Sequence, residues 1–405
     1  MNKVIRTTLL VVVALVLLAG AFSGGVLVGS SVQLGGLSGI MSSSTGGTPS
    51  NLATTFIPFW QTWNLIHSQY LVQPVDNTKL MEGAITGMVA SLDDPYSSYW
   101  TPQETKDVAT SLSGSYDGIG AYVDESGAYL TIIKAIPGTP ADKAGLQPGD
   151  EIIAVNGKDV SGIDPEVVRD TMVLGTAGTS VQLTIKRTGV EQPIEVTIVR
   201  AHIVIPSVTS KMLDNQIAYI QITQFGTTTA HDFHTQLGQL LAQNPNGLIL
   251  DLRDDGGGLL DQAVGVASEF IPNGVVVYQE DAKGNKTPLD ANSGGLATQL
   301  KIPVIVLVNG ETASASEIVA GALQDTGKAK LLGVTTYGKG VVQALNPLED
   351  GGTARLTIAQ WLTPKGRTIN KKGLTPDFIV QMTQADVTAG RDPQLDAAEK
   401  QILNP

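Results

Sequence analysis

The sequence contains no cysteine. That absence excludes disulfide bonds, a thiol nucleophile, cysteine-ligated metal and a lipidated N-terminal cysteine. An oxidising compartment and a reducing one would therefore suit the chain equally.

Histidine is also scarce, with 4 in 405 residues. His67 falls in a predicted helix and His202 follows a β-rich segment, while His231 and His234 share one predicted helix face but lack a third ligand for a metal. The chain has no G-x-S-x-G string and no serine three residues before a lysine, so the patterns of α/β-hydrolases and β-lactamases are absent. We expect neither a serine-histidine triad nor a metal or other cofactor.

Basic residues are fewer than acidic ones, 26 against 38, which gives a net charge of -12. An acidic surface disfavours nucleic acid as a partner. With 42% hydrophobic and 16% charged residues, the chain is long and apolar enough for two or three folded domains.

The N-terminus carries an export signal. Lys3 and Arg6 precede an uncharged run over residues 7–28 that is rich in Leu, Val and Ala. A helix of roughly 20 residues crosses a bilayer, so we predict that residues 1–28 form a signal anchor with the rest of the chain outside a bacterial cell membrane. Cleavage after the small residues at 19–21 would instead release a secreted protein. Residues 29–51 are rich in Gly, Ser and Thr and indicate a flexible linker.

Residues 52–112 are predicted to form an N-terminal helical scaffold, with apolar positions at helical spacing and a second amphipathic segment over 76–91. Within it, residues 94–100 (DPYSSYW) indicate a turn with packed aromatic side chains. We interpret this region as scaffold without a part in the chemistry.

Short predicted strands punctuated by glycine fill residues 113–201 and include the string AGLQPGDEIIAVNG at 144–157. This segment resembles a PDZ domain. The resemblance implies that Gly118, Ile119 and Gly120 present backbone N–H groups to the terminal carboxylate of a bound peptide. A glycine-rich hairpin without a ligand is the alternative.

Residues 202–382 alternate between strands and helices, which indicates an α/β core, and residues 383–405 are predicted to form a tail helix. Two strand-turn-helix units stand out. One has a strand at 247–252, a turn at 253–258 and a helix from Leu259 to Phe270, and the other has a strand at 303–308 and a helix from Ser314 that ends near Gly327. Turns at the ends of such strands offer unpaired N–H groups at helix starts.

Two strings carry the candidate chemistry, NGETASASEI at 309–318 and YGKGVVQ at 337–343. Alone, a serine at a helix start is usually a cap, and a lysine between glycines is usually a solvated turn. Together, and in this order after a PDZ-like module, the strings resemble the catalytic motifs of the carboxy-terminal processing peptidases. The resemblance covers roughly residues 56–380.

The resemblance implies a crotonase-like α/β serine protease core. It implies Ser314 as nucleophile, Lys339 as general base and Gln343 as the residue that orients the lysine. The string DLRDDGGG at 251–258 matches the family's D-L-R-N-N-P-G-G, so oxyanion N–H groups are expected at Gly257 and Ala315. Protein substrates would enter by unstructured C-termini, the chain would be membrane-bound through its anchor, and a homo-oligomer is possible.

The residue types fit that chemistry. A lysine with a pKa near 10.4 accepts a proton at neutral pH only if burial lowers its pKa by about 2–3 units. Lys339 must therefore be desolvated and lack a carboxylate partner. An amide such as Gln343 can fix the amine without adding negative charge.

The sequence departs from the family pattern in three places. Asp254, Asp255 and Gly256 replace the paired asparagines and proline, and they put extra negative charge near the expected oxyanion hole. Leu174 stands where some relatives have an arginine that helps gate the catalytic domain, so we do not expect that switch. Thr312 replaces the first serine of the nucleophile string and leaves Ser314 in its place.

Two other classes of function stay open at this point. A catalytically inactive PDZ adaptor would bind peptides without needing Ser314, Lys339 and Gln343 together. A crotonase-like acyl-thioester enzyme would share paired N–H groups but would need neither an export signal nor a PDZ module.

Overall fold

The computed structural model describes residues 50–404. The chain divides into two compact units, with the boundary between Thr78 and Lys79. The predicted anchor at 1–28 and nearly all of the predicted linker lie outside the described residues. Between residues 50 and 404, no helix combines the length and the apolar character that crossing a bilayer requires.

The described part of the first unit contains a 3₁₀ turn at Ser50–Leu52 and helix α1 at Ile57–Gln69. No side chain of α1 is buried. Its aromatic rings pack along the helix surface, where Trp63 stacks on His67 with ring centroids 5.2 Å apart. Helix α2, Asn77–Ala90, begins at the boundary between the units.

The second unit contains the remaining helices and all the strands of the described residues. Its helices are α3 Pro102–Ser113, α4 Pro140–Lys143, α5 Pro165–Val168, α6 Thr229–Leu241, α7 Leu260–Ser268, α8 Ala315–Thr326, α9 Gln384–Thr388 and α10 Pro393–Leu403. A π turn at Arg169–Val173 follows α5, and a 3₁₀ turn covers Asp214–Gln216. The predicted tail helix is two helices, α9 and α10.

The PDZ-like module is built on one antiparallel sheet. Strands β3 Ala121–Asp124, β4 Thr131–Ala135, β5 Glu151–Val155, β7 Ser180–Lys186 and β8 Ile194–Val199 follow one another in that order across it, and β6 Lys158–Asp159 pairs with β5. Alternate strand residues such as Ile152, Leu183 and Ile185 are fully buried in its own core, as expected for a sheet with one covered face. Strands β2 Ser115–Gly118 and β9 Ala201–Val204 pair where the chain enters and leaves the module.

A six-stranded sheet forms the centre of the α/β core. Its strands are β10 Val208–Leu213, β11 Ile217–Ile222, β12 Gly247–Asp251, β15 Val304–Val308, β16 Lys330–Gly333 and β19 Phe378–Ile379, in that spatial order. Only the pairing of β10 with β11 is antiparallel. Strands β12 and β15 are buried along their whole length, because helices cover both faces of the sheet. Side chains of α6, α7 and α8 fill the core on one face, and Ala398 and Ile402 of α10 pack on the other.

A second sheet brings distant parts of the chain together. Strands β1 Ser98–Trp100, β18 Thr353–Leu362, β13 Val275–Asp281 and β14 Lys286–Asp290 lie in that order, and β17 Val341–Pro347 also pairs with β18. The predicted turn is present at residues 94–97 and Tyr99 is buried, but Ser98–Trp100 also pairs with residues 353–355 as a strand, which was not predicted. Because the two paired strands are far apart in the sequence, no local pattern predicts their pairing.

Candidate active site

The site lies where two neighbouring parallel strands end. Strands β12 and β15 run side by side, with Asp251 opposite Leu307. The turns that follow them, at residues 252–259 and 309–314, therefore lie at the same edge of the sheet, where ligand sites of α/β proteins collect. In both strand-turn-helix segments, the predicted strand and helix are confirmed to within about two residues.

Hydrogen bonds join the two turns to each other. The hydroxyl of Thr312 donates to the carbonyl of Leu252 at 2.8 Å, and the amide of Asn309 donates to the carboxylate of Asp254 at 2.7 Å. The backbone N–H of Ala313 donates to the carbonyl of Asp255 at 3.0 Å. Thr312 and Asp254, two of the departures from the family strings, thus hold the turns in register.

Ser314 has a strained backbone. Its φ of 57° and ψ of -116° lie outside the regions that residues with a side chain normally adopt. It immediately precedes helix α8, which ends at Gly327 in the left-handed conformation. Strain of this kind persists only where surrounding contacts fix it, and it is concentrated at functional sites.

Gly257 lies against Ser314 and Ala315. A Cβ atom added to Gly257 would come within 2.8 Å of the Ser314 Cβ and 2.9 Å of the Ala315 nitrogen, and its φ is 99°. Only glycine fits this position. The N–H of Ala315 is at the first position of α8, so it has no partner within the helix. The N–H of Gly257, in contrast, donates to the Oδ1 atom of Asp255 at 2.8 Å.

The buried carboxylate of Glu317 connects the serine to the lysine segment. Its Oε2 accepts the backbone N–H groups of Ser314 and Lys339, each at 2.9 Å. Its Oε1 accepts the Thr336 hydroxyl at 2.5 Å and the Gly338 N–H at 2.8 Å. Burial raises the pKa of Glu317, and these donors oppose the shift. Glu317 therefore fixes the positions of residues 314 and 339 relative to each other.

Contacts to the backbone hold the segment around Lys339 in place. The indole Nε1 of Trp361 donates to the Lys339 carbonyl at 3.0 Å. The two flanking glycines permit close approach, because a Cβ at Gly340 would lie 2.5 Å from the Asn370 nitrogen. The amine is placed over the ring of Tyr96, 5.6 Å from its centroid.

The amine of Lys339 has an environment that disfavours its charged form. Burial lowers its pKa below the usual lysine value, the nearby Arg355 cation lowers it further, and only Glu317 acts in the other direction. Throughout residues 50–404, no carboxylate forms an ion pair with this amine. The direction is the one that the sequence analysis required of a lysine base.

Gln343, on strand β17, contacts a different set of side chains from the one expected. Its amide nitrogen donates to Thr357 Oγ1 at 3.3 Å, and its Oε1 accepts from Arg355 at 3.4 Å. The guanidinium of Arg355 also lies over the ring of Trp100, 5.4 Å from its centroid. Neither of these hydrogen bonds joins Gln343 to the Lys339 amine.

A single cavity of about 550 Å³ contains all the predicted catalytic residues in its wall. Ser314, Lys339, Gln343, Gly257 and Ala315 line it together. The remaining wall is mostly apolar and comes from α3, α7, α8 and strands β17 and β18, with Val108, Leu112, Leu260, Ile318 and Trp361 among its residues. A cavity of this size with a few convergent polar groups is typical of a ligand site.

The predicted peptide-binding residues lie elsewhere, in the PDZ-like module. Gly118, Ile119 and Gly120 are all buried. A Cβ at Gly118 would lie 2.9 Å from the Leu174 side chain, and one at Gly120 would lie 2.4 Å from Thr139. Leu174 therefore packs against the loop to which the resemblance assigns carboxylate binding.

Sequence reasoning missed several residues of the site. Glu317 follows Ser314 by three residues, the spacing of a capping box, and that signal could have found it. Trp100, Tyr96 and Arg355 come from β1, its preceding turn and β18, and no local pattern links them to Ser314. Residues 94–112 were interpreted as scaffold without chemistry, yet Trp100, Val108 and Leu112 line the cavity.

One further acidic cluster occurs in the described part of the chain. Asp107, Glu166 and Asp170 have carboxylate oxygens within 4.8 Å of one another. Arg169 pairs with Asp107 and Asp170 and also with Glu125. The cluster thus ties α3 to the PDZ-like module through a central cation.

Three family models match the chain. Residues 216–380 match peptidase family S41, residues 131–187 match the PDZ domain, and residues 39–105 match the N-terminal domain of the activating protease CtpB. The S41 match contains every predicted catalytic residue, and the PDZ match lies within the predicted module.

Two curated relatives and one solved structure are similar to this chain over most of its length. The chain is 42% identical over 319 residues to the carboxy-terminal processing protease CtpA of Bacillus subtilis, covering 78% of this chain and 67% of the relative. It is 38% identical over 346 residues to the carboxy-terminal-processing protease of Bartonella bacilliformis, covering 84% and 78%. A Bacteroides fragilis structure described as an S41 protease has a TM-score of 0.50 at 20% identity, covering 83% of this chain and 95% of that one, and so shares the fold.

Proposed function

Since the chain belongs to peptidase family S41, the carboxy-terminal processing serine proteases, we propose that it is an endopeptidase in which Ser314 is the nucleophile and Lys339 the general base. One observation carries the proposal. A serine with a strained backbone and a lysine with a lowered pKa line the same cavity, and one buried carboxylate holds both backbones.

The proposed reaction proceeds through an acyl-enzyme. The Ser314 Oγ attacks the carbonyl carbon of a peptide bond while the neutral Lys339 amine takes its proton. The tetrahedral oxyanion is stabilised by the N–H groups of Ala315 and Gly257. When the intermediate collapses, the C–N bond breaks and the Lys339 ammonium gives its proton to the leaving amine. Water then attacks the ester, with Lys339 again as base, and releases Ser314.

The role of Gly257 in this scheme requires a local change. Its N–H is bonded to Asp255 in the structure, and it can donate to an oxyanion only if that bond weakens or is shared. Ala315 has no such competitor within its helix. Gln343 supports the site by holding Arg355, whose charge favours the neutral form of Lys339.

The proposal is tested with an unstructured peptide substrate. We expect Ser314→Ala and Lys339→Ala each to lower kcat by about 10⁴-fold or more, since single members of such catalytic pairs act as a unit. Ser293→Ala and Lys372→Ala serve as matched controls, because both side chains are exposed. Fluorophosphonate labelling should be abolished in Ser314→Ala, strongly slowed in Lys339→Ala because the serine is no longer activated, and retained in both controls. Turnover that survives in either catalytic variant would refute the assignment.

We further propose that substrates are proteins cut near their C-termini after their carboxylate is captured at Gly118, Ile119 and Gly120. The PDZ match supports a peptide-binding module. The side chains of Leu174 and Thr139 lie against Gly118 and Gly120, so this loop has no room for larger residues. An inactive adaptor would share the capture step but would have no use for the strained Ser314 or the lowered pKa of Lys339.

For location, we propose that residues 1–28 anchor the protein in a bacterial membrane with the catalytic part outside the cytoplasm. The support is the basic flank and apolar run of the sequence itself. Extraction of membranes with alkaline carbonate should leave the full chain in the pellet, and protease added to spheroplasts should digest it. A chain found in the medium with a new N-terminus near residue 21 would instead indicate cleavage and secretion.

A further inference from the structure

Asp255 is a buried acid that the proposed reaction does not use. It lies in the turn between β12 and α7 and is 0% exposed. Its Oδ1 accepts the Gly257 N–H at 2.8 Å, and its Oδ2 has no hydrogen-bond partner. Its carbonyl accepts the Ala313 N–H at 3.0 Å and the Ser316 hydroxyl at 3.1 Å. The side chain is thus held beside the serine turn with one oxygen unsatisfied.

The charged groups around Asp255 are committed to other partners. Within its own turn, Asp254 bonds to Asn309, and Arg253 pairs with Asp251 and Asp392. From α8, Glu317 accepts donors from residues 314, 336, 338 and 339.

The cavity wall contributes two cations, Lys339 and Arg355. Within the described residues, neither pairs with Asp255. Burial accordingly raises the pKa of Asp255 to about 7, and only the Gly257 N–H and the Ser316 hydroxyl oppose the shift.

A buried carboxyl in this position affects the oxyanion hole directly. A charged acceptor forms hydrogen bonds roughly twice as strong as a neutral one, so an ionised Asp255 would retain the Gly257 N–H. It would also place a negative charge near the developing oxyanion, where poor screening makes the repulsion large. A neutral carboxylic acid accepts more weakly and adds no charge.

We propose that Asp255 is a positioning residue whose neutral acid form releases the Gly257 N–H to the oxyanion, and whose carboxylate form withholds it. This inference depends on the proposed function, because Asp255 would regulate the same oxyanion hole. It predicts that the enzyme requires one group in its protonated state, Asp255, and one in its deprotonated state, Lys339.

The test is the pH dependence of kcat on a peptide without titratable side chains. Wild-type kcat should fall on the alkaline side, by about tenfold per pH unit beyond the ionisation of Asp255. Asp255→Asn keeps an Oδ1 acceptor for Gly257 and cannot ionise, so its alkaline limb should disappear while kcat on the plateau is retained. KM should change little in either enzyme, because the oxyanion forms only after binding.

Asp254→Asn is the matched control. Asp254 is the exposed neighbour of Asp255, and asparagine preserves its acceptor for Asn309. This variant should keep the wild-type alkaline limb. An alkaline limb that persists unchanged in Asp255→Asn, or one that disappears equally in Asp254→Asn, would overturn the proposal.

A second measurement covers the case in which Asp255→Asn does not fold. Infrared spectra of wild type with ¹³C-labelled aspartate should show a protonated carboxyl that persists at pH 6 and titrates near neutrality. Absence of a protonated aspartate at pH 6 would overturn the inference. The proposed function would fail separately, through peptide turnover that survives in Ser314→Ala.

Discussion

At the scale of single residues, the surroundings of Lys339 disfavour the charged form of its amine. Desolvation is the main cause of its lowered pKa, and Arg355 adds a like charge to the same cavity. Arg355 is itself partly desolvated, and burial lowers its own pKa. Its guanidinium lies over the Trp100 ring and donates to the Gln343 Oε1, and the charge of Asp94 acts on it without a direct ion pair.

We predict that Arg355→Met raises the pKa of Lys339. The lysine would then become neutral only at higher pH, so the acid limb of the rate profile should move to higher pH and the rate at neutral pH should fall. The profile of kcat between pH 5 and 9 measures the shift. Arg355→Lys retains the charge and should keep the limb near its wild-type position, and an unmoved limb in Arg355→Met would contradict the prediction.

Asp255 also makes stability depend on pH. Its folded pKa of about 7 lies above the usual 3.8, so the folded protein holds a proton that the unfolded chain releases. Stability should therefore fall as pH rises from about 4 towards 7, by at most roughly 4 kcal/mol for a shift of about three units. Urea unfolding at pH 5 and pH 8 should show the part of this loss that lies above pH 5, about 2–3 kcal/mol, in wild type and not in Asp255→Asn. If the free energy of unfolding changed equally with pH in the two proteins, Asp255 would have an ordinary pKa.

At the scale of elements, Glu317 joins the start of α8 to the segment at residues 336–339. A carboxylate can accept all four of its donors. The amide of glutamine would direct its own N–H groups at some of them. Loss of a buried charged acceptor typically costs several kcal/mol. The clamp therefore contributes both to stability and to the relative placement of Ser314 and Lys339.

We predict that Glu317→Gln lowers kcat by about 10- to 100-fold, the usual effect of misplacing catalytic groups by a fraction of an ångström, and lowers Tm. Glu311→Gln is the control, since Glu311 is exposed in the preceding turn. Steady-state kinetics and thermal unfolding measure the two effects. Wild-type kcat in a folded Glu317→Gln protein would show that the clamp has no part in the reaction.

At the scale of the whole molecule, the PDZ-like module and the catalytic core are linked by paired strands. The chain enters the module by β2 and leaves by β9, and Asp117 pairs with His202 across these strands at 2.8 Å. Arg169 adds a second connection, to α3. Helix α3 in turn places Val108 and Leu112 in the cavity wall. Helix α3 therefore contacts both the module and the cavity wall.

We predict that a peptide with an amidated C-terminus is cut more slowly than the free acid, because the amide has no carboxylate for the loop at 118–120. The ratio of kcat/KM for the two peptides measures the effect. Gly120→Ala should reduce the ratio towards one, since the added Cβ would collide with Thr139, whereas Gly127→Ala meets only ordinary contacts and should not. Equal rates on both peptides in wild type would exclude carboxylate capture.

Many elements of the core could be predicted from local sequence. Strand β12 was expected at 247–252 and lies at Gly247–Asp251, and α8 was expected to end near Gly327, which is its left-handed cap. Runs of buried apolar residues, glycine caps and turn residues are local signals. The strand at Ser98–Trp100 could not be predicted in this way, because its partner is residues 353–355 of β18.

The sequence by itself determined which groups the site contains, Ser314, Lys339 and the glycine turns, because residue type and spacing along the chain are local properties. Only the tertiary structure decided their chemical state. The pKa of Lys339 is shifted by burial and by the charges of Arg355 and Glu317, and that of Asp255 by burial against the Gly257 and Ser316 donors; folding brings these groups together from separate elements. The pKa of a side chain depends on the groups around it. Those groups come together only when the two sheets and the helices between them pack.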